Sequence, residues 1–197
     1  MNNRITKFLA ITLFLLNISL VAKGEAVDAV TGATPVKLKI EANVDKQLVL
    51  DVSYEENSVI RKAPLGLNVD HRLLGKDAQQ LSKEKKENNT LVYEFQQVDG
   101  SRFFLDARIF PDGIALRYRV PANGPVCIYG EETSFIFPSQ TKAWYASGPF
   151  QYGWLQEYQE RETDHIEGEL LAPPATFRLP NGIYAAITEA NLFNYHG

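Results

Sequence analysis

The chain has 197 residues, a formal charge of −4, 45% hydrophobic and 22% charged residues. That composition is the one a folded globular protein needs, so disorder is excluded as a whole-chain description. The absence of a basic excess, or of any Lys/Arg stripe interleaved with aromatics, argues against a nucleic-acid partner. A single cysteine, Cys127, rules out an internal disulfide, and the three histidines, His71, His165 and His196, fit no metal or catalytic spacing.

In chain order, Arg4 and Lys7 make a positive start, and Phe8–Ala22 follows as a largely apolar run. The run is too short for a spanning helix, which takes about 20 apolar residues. It matches the apolar region of a secretory signal peptide, and Ala22-Lys23-Gly24 puts small residues where a signal peptidase reads. Residues 1–24 are therefore expected to be a signal peptide and residues 25–197 one exported domain, periplasmic or secreted. No second apolar segment is long enough to span a bilayer. The remaining length carries a sizeable sandwich core but not a (β/α)8 barrel of about 250 residues.

Val36–Asn43 and Leu48–Tyr54 alternate apolar and polar residues across the polar turn Asp45–Gln47. Such period-2 alternation marks half-buried antiparallel strands. Ser58–Leu67 is broken by Pro64 and reads as an edge segment. The polar stretch Gly75–Asn89, with Lys83-Glu84-Lys85-Lys86-Glu87, reads as a solvated loop or short exposed helix. Leu91–Val98 is the next strand. Ser101–Phe110 and Ile114–Val120 flank Pro111-Asp112-Gly113, a hairpin turn signal. On that hairpin Ile114, Leu116, Tyr118 and Val120 point inward, while Arg117 and Arg119 point the other way, beside Asp106 and Arg108 of the partner strand, where an opposite-charge cross-strand pair is the ordinary reading. Val126–Tyr129, Thr133–Phe137 and Ala143–Ala146 continue the β pattern. Ala175–Leu179 and Gly182–Thr188 flank Pro180-Asn181, with Gly182 supplying a positive φ. No βαβ rhythm is visible, so the pattern predicts an all-β, antiparallel β-sandwich.

The chemistry-bearing residues concentrate in the last third. No GxSxG, Walker loop, GxGxxG or HExxH motif occurs. Glycoside cleavage needs two carboxylates across the scissile bond, and Glu131, Glu132, Glu157, Glu160, Glu162, Asp164, Glu167, Glu169 and Glu189 supply acids without a diagnostic spacing. Glu189 ends an apolar strand, where it is either an ordinary strand-end charge or a group able to meet a hard cation or a partner domain. Trp144, Tyr145, Tyr152, Trp154 and Tyr158 form an aromatic cluster suited to sugar stacking or to core and interdomain packing. Trp154, Glu157 and Trp144 are the candidate substrate-binding residues.

Three segments in order, FLDARIFPDGIALRYRVP (Phe104–Pro121), GEETSFIFP (Gly130–Pro138) and GIYAAITEANLFNY (Gly182–Tyr195), resemble the N-terminal domain of glycoside hydrolase family 97. The resemblance implies a galactose-mutarotase-like super-sandwich that precedes a catalytic (β/α)8 barrel in calcium-dependent exo-acting α-glucosidases and α-galactosidases. It also implies that Glu189 corresponds to a calcium ligand which the sandwich contributes at the domain interface. The acid and base carboxylates and the other calcium ligands would lie in the barrel, which is absent from this chain, and the sandwich is expected to lack strands at its C-terminal end. The implied function is a non-catalytic carbohydrate-associated domain of an exported exo-α-glycosidase with oligosaccharide as partner. Two alternatives stand beside it, a free-standing carbohydrate-binding module and an aldose-epimerase-like enzyme.

Overall fold

The computed structural model describes residues 14–16, 34–148, 157–166 and 171–189. Regular structure there is β-strand apart from one 3₁₀ turn at Thr163–His165. Among the described residues no helix is long and apolar enough to cross a membrane.

The first sheet follows directly from the alternation. β2 (Val36–Ala42), β3 (Leu48–Tyr54) and β4 (Asn57–Pro64) pair antiparallel in that order. Val36, Leu38 and Ile40 are buried as predicted, and so are Leu48, Leu50 and Val52 of β3. The β2–β3 turn is held by the Asn43 side chain, which accepts from the amides of Asp45 (2.9 Å) and Gln47 (3.0 Å). β4 occupies the edge, the position that Pro64 at its end allows.

β5 (Leu67–Val69) and β6 (Arg72–Leu74) form a short hairpin, and β11 (Ile128–Glu131) pairs on the other side of β5. Gly75, just after β6, has φ +95°, and a Cβ there would stand 2.3 Å from the Leu65 carbonyl oxygen. Only glycine lets the two backbones approach this closely. The Gln47 amide nitrogen ties the junction by donating to the Leu65 carbonyl (2.7 Å) and the Gly75 carbonyl (3.1 Å).

The four-stranded sheet has the order β10-β9-β8-β7, with β7 (Gln79–Lys86), β8 (Thr90–Gln96), β9 (Arg102–Phe110) and β10 (Gly113–Arg119). Pro111 and Asp112 form the predicted hairpin turn, with Gly113 opposite Phe110. The charged stretch departs from the loop-or-helix expectation, because Gln79–Lys86 is an edge strand laddered to β8. Both of its faces are largely exposed, so no hydrophobic alternation reveals it. The deciding feature is local: Asn88 (φ 55°) and Asn89 (φ 53°) adopt consecutive left-handed conformations. That is the turn type favoured by two-residue hairpin loops. Its lysines suit an exposed edge, where charge discourages pairing with another chain.

The last sheet runs β1-β15-β14-β12-β13, from β1 (Phe14–Leu16), β12 (Lys142–Ser147), β13 (Tyr158–Glu162), β14 (Leu171–Arg178) and β15 (Tyr184–Ile187). The β14–β15 hairpin turns on Gly182 (φ 87°), as its sequence requires. β1 belongs to the apolar run expected to be a signal peptide and pairs with Tyr184–Ala186. The segment Thr133–Phe137 is extended but is not a strand. It makes spaced bonds, Glu132 N–H to Gly66 O (2.9 Å) and Ser134 N–H to Pro64 O (3.0 Å), instead of a continuous ladder. Cys127, a small apolar residue that the surrounding pattern would place on a strand, instead precedes β11 and is exposed.

One buried cluster joins side chains from all four sheets, including Leu50, Phe95, Leu105 and Tyr145. β2 lies against β9 and β10. The expectation of an all-β, antiparallel sandwich is met.

Candidate functional site

Residues Glu131–Phe137 lie opposite the inward face of the last sheet, and a cleft of about 700 Å³ opens between them. The alternation of β14 and β15 turns Ala175, Phe177 and Ile187 toward it, and Phe135, Phe137 and Ile166 face them. Phe137 stacks on Phe177 with centroids 4.2 Å apart. The cleft is thus mainly apolar, with acids at its margin.

Two of those acids come from segments far apart in sequence. Glu131 ends β11 and Glu189 follows β15. One Glu131 carboxylate oxygen, Oε1, is buried without a hydrogen-bond partner. Burial drives the Glu131 carboxyl up to about 7; the Thr133 hydroxyl opposes the shift and the negative charge of Glu189 adds to it. Thr133 is itself held, its hydroxyl 3.0 Å from the Tyr118 hydroxyl. Burial raises the Tyr118 hydroxyl well above its ordinary range.

Glu189 is exposed at the cleft margin beside Glu131. A calcium ion takes about 6–8 oxygens. These two carboxylates could furnish at most one side of such a shell, and among the described residues no group of three or more His, Cys, Asp or Glu is gathered to hold a metal. The residues present therefore fit a share of a site, with the remaining ligands required from elsewhere.

The candidate sugar-binding residues are not brought together in this cleft. Trp144 lies on the opposite, outward face of the same sheet, its indole N–H donating to Glu160 Oε2 at 3.2 Å. Glu157 is exposed immediately before β13. Trp154 lies outside the described residues. Neither described histidine lines the cleft; His71 stacks on Tyr129, with centroids 3.8 Å apart. Sequence reasoning named Glu131 only as one acid among many. Its position at a strand end beside the apolar TSFIF run is the signal that could have marked it.

A family model described as Glycosyl-hydrolase 97 N-terminal matches residues 33–197. A probable retaining alpha-galactosidase of Streptomyces bingchenggensis (strain BCW-1) is 28% identical over 127 residues, 55% of this chain and 20% of that protein. Among solved structures, a beta-arabinopyranosidase superposes with TM-score 0.61 at 18% identity, covering 78% of this chain and 34% of the other. A glycoside hydrolase family 97 enzyme from Pseudoalteromonas sp. strain K8, solved with panose, superposes with TM-score 0.59 at 17% identity, covering 76% of this chain and 26% of the other. The chain thus spans about a fifth of the curated relative and about a quarter to a third of the solved ones.

Proposed function

Because the chain belongs to the glycosyl-hydrolase 97 N-terminal family, we propose that it is the non-catalytic, carbohydrate-associated sandwich of an exported exo-α-glycosidase of α-glucosidase or α-galactosidase type. In this reading hydrolysis takes place in a (β/α)8 barrel supplied by polypeptide outside these 197 residues, and the sandwich contributes one wall of the interface. Glu189 is its calcium ligand there, and oligosaccharide is the substrate of the whole assembly.

The observation that carries this reading is the cleft. An apolar trough with an unpartnered carboxylate oxygen and a second carboxylate at its edge has the chemistry of half an interface. A cation shared with ligands from a docked domain would neutralise both acids and remove the cost of burying Glu131. The curated relative's description as an alpha-galactosidase and the panose complex of a solved neighbour support a sugar-cleaving context.

The test is a hydrolysis assay of the purified chain with nitrophenyl α-glucoside and nitrophenyl α-galactoside. No turnover above background is expected, and clear turnover by the chain alone would refute the non-catalytic assignment. An aldose-epimerase-like activity would show in the same preparation as accelerated mutarotation.

A further inference from the structure

The outward face of the last sheet carries a second arrangement. On β12, Ala143 and Tyr145 point into the core and are fully buried. By strand alternation Lys142 and Trp144 point outward. The register sets Trp144 opposite Glu160 of β13 and Thr176 of β14, while Lys142 stands opposite Arg178, itself paired with Tyr184 of β15. Trp144 and Tyr184 are therefore two strands apart, across the stretch of β14 that carries Thr176 and Arg178. Their rings lean together over it, with centroids 6.5 Å apart and planes at 24°. Tyr158 lies opposite Ala146, its hydroxyl 3.5 Å from the Pro174 carbonyl.

Apolar rings are not what an outward sheet face normally shows, yet Tyr158 is 59% and Tyr184 40% exposed. The polar groups among them are held in place. Glu160 accepts from the Trp144 indole N–H at 3.2 Å and from Lys142 Nζ at 2.7 Å. The Lys142 bond chiefly, with smaller contributions from Trp144 and the charge of Arg178, keeps the Glu160 carboxyl below its ordinary range. The half-buried indole is thus pinned at its edge beside the exposed Tyr184 ring.

Nearly parallel rings bordered by a fixed carboxylate and two cations suit a ligand with an apolar flat side and a rim of hydroxyls. Charged groups spread between the rings are unlike the charge-depleted centre of a protein interface. The carboxylate at the middle disfavours a phosphate backbone. We propose that this face, centred on Trp144 and Tyr184 with Glu160 beside them, binds a neutral hexopyranose oligosaccharide, one sugar ring stacking on the aromatic pair and its hydroxyls bonding to Glu160, Lys142 and Arg178. The inference rests on the carbohydrate-associated reading and adds to it a site and a ligand class.

The sequence holds two tryptophans, Trp144 and Trp154, so a Trp154→Phe chain has Trp144 as its sole indole reporter. Its fluorescence is titrated with maltoheptaose and, separately, with stachyose, and the wild-type chain is titrated in a calorimeter. A saturable spectral shift and saturable heat are expected with one of the two sugars, and the arm that responds identifies the sugar class. Trp144→Ala and Tyr184→Ala each weaken binding about tenfold, the loss expected for one stacking contact. Tyr184→Phe retains binding, because the ring remains. Glu189→Gln, in the cleft on the other face, leaves it unchanged. Thermal melts show that the exposed Tyr184→Ala variant stays folded even if Trp144→Ala does not. No saturable response from either sugar, or binding that survives both alanine variants, overturns the proposal. A null titration leaves the non-catalytic family reading standing, because that reading is decided by the hydrolysis assay.

Discussion

Replacing Glu131 by glutamine isolates the cost of the cleft's buried carboxyl. In the folded chain this group titrates at about 7 against an ordinary value of 4.5, with burial as the main cause. A difference of one pH unit corresponds to about 1.36 kcal/mol, so the gap amounts to about 3 kcal/mol. The folded state holds the proton more tightly than the unfolded state. Below pH 4.5 both states are protonated and Glu131 carries no penalty. Between pH 4.5 and 7 the unfolded chain ionises first, and stability falls as pH rises. Above pH 7 both states are ionised and the full penalty of about 3 kcal/mol stands. Glu131→Gln removes the charge and keeps the shape. It should leave stability almost unchanged at pH 4 and raise it by about 2–3 kcal/mol at pH 8. Urea unfolding of wild type and variant, followed by circular dichroism across that range, measures the difference directly. A variant whose stability relative to wild type does not change with pH would refute the reasoning. Such a result would mean that the carboxyl is solvated or paired in the folded chain.

Three further outcomes follow from other parts of the fold. Asp106 is buried between two cross-strand arginines, accepting from Arg117 Nε at 3.0 Å and from Arg119 Nε and Nη2 at 2.8 and 2.9 Å. Asp106→Ala leaves two guanidinium groups facing one another and should cost about 2–4 kcal/mol in urea unfolding, well beyond an ordinary surface pair. Gly75→Ala forces a Cβ toward the Leu65 carbonyl at a positive φ and should cost about 2–4 kcal/mol, read as a lowered thermal midpoint. Calcium should bind the isolated chain weakly, since the described residues supply only part of a shell. At free calcium equal to its Kd the gain is about 0.4 kcal/mol, a thermal shift of only about 1–2 °C that Glu189→Gln should abolish.

The strands could be read locally because each buries one face, and period-2 alternation leaves that imprint in Val36–Ala42, Leu48–Tyr54 and Ile114–Tyr118. Turn chemistry placed the hairpins at Pro111–Asp112 and at Gly182, and the first hairpin brought Asp106 beside Arg117 and Arg119 through its register. β7 escaped because a strand exposed on both faces has no apolar period, and only Asn88-Asn89 betrayed it.

The three separated motifs identified the family, since residue identities in order persist along a chain regardless of its shape. What the sequence could not assign was convergence. Glu131 and Glu189 meet at one cleft because two different sheets close over a common core. Trp144 was named as a substrate-binding residue together with Trp154 and Glu157, yet its partners on the outward face are Tyr184 and Glu160, chosen by a strand order that places β12 between β13 and β14 and β14 between β12 and β15. Local periodicity decides which way a side chain points within its strand. Which side chains it meets there depends on sheet order and layer packing, which are set by burial of the whole core at once.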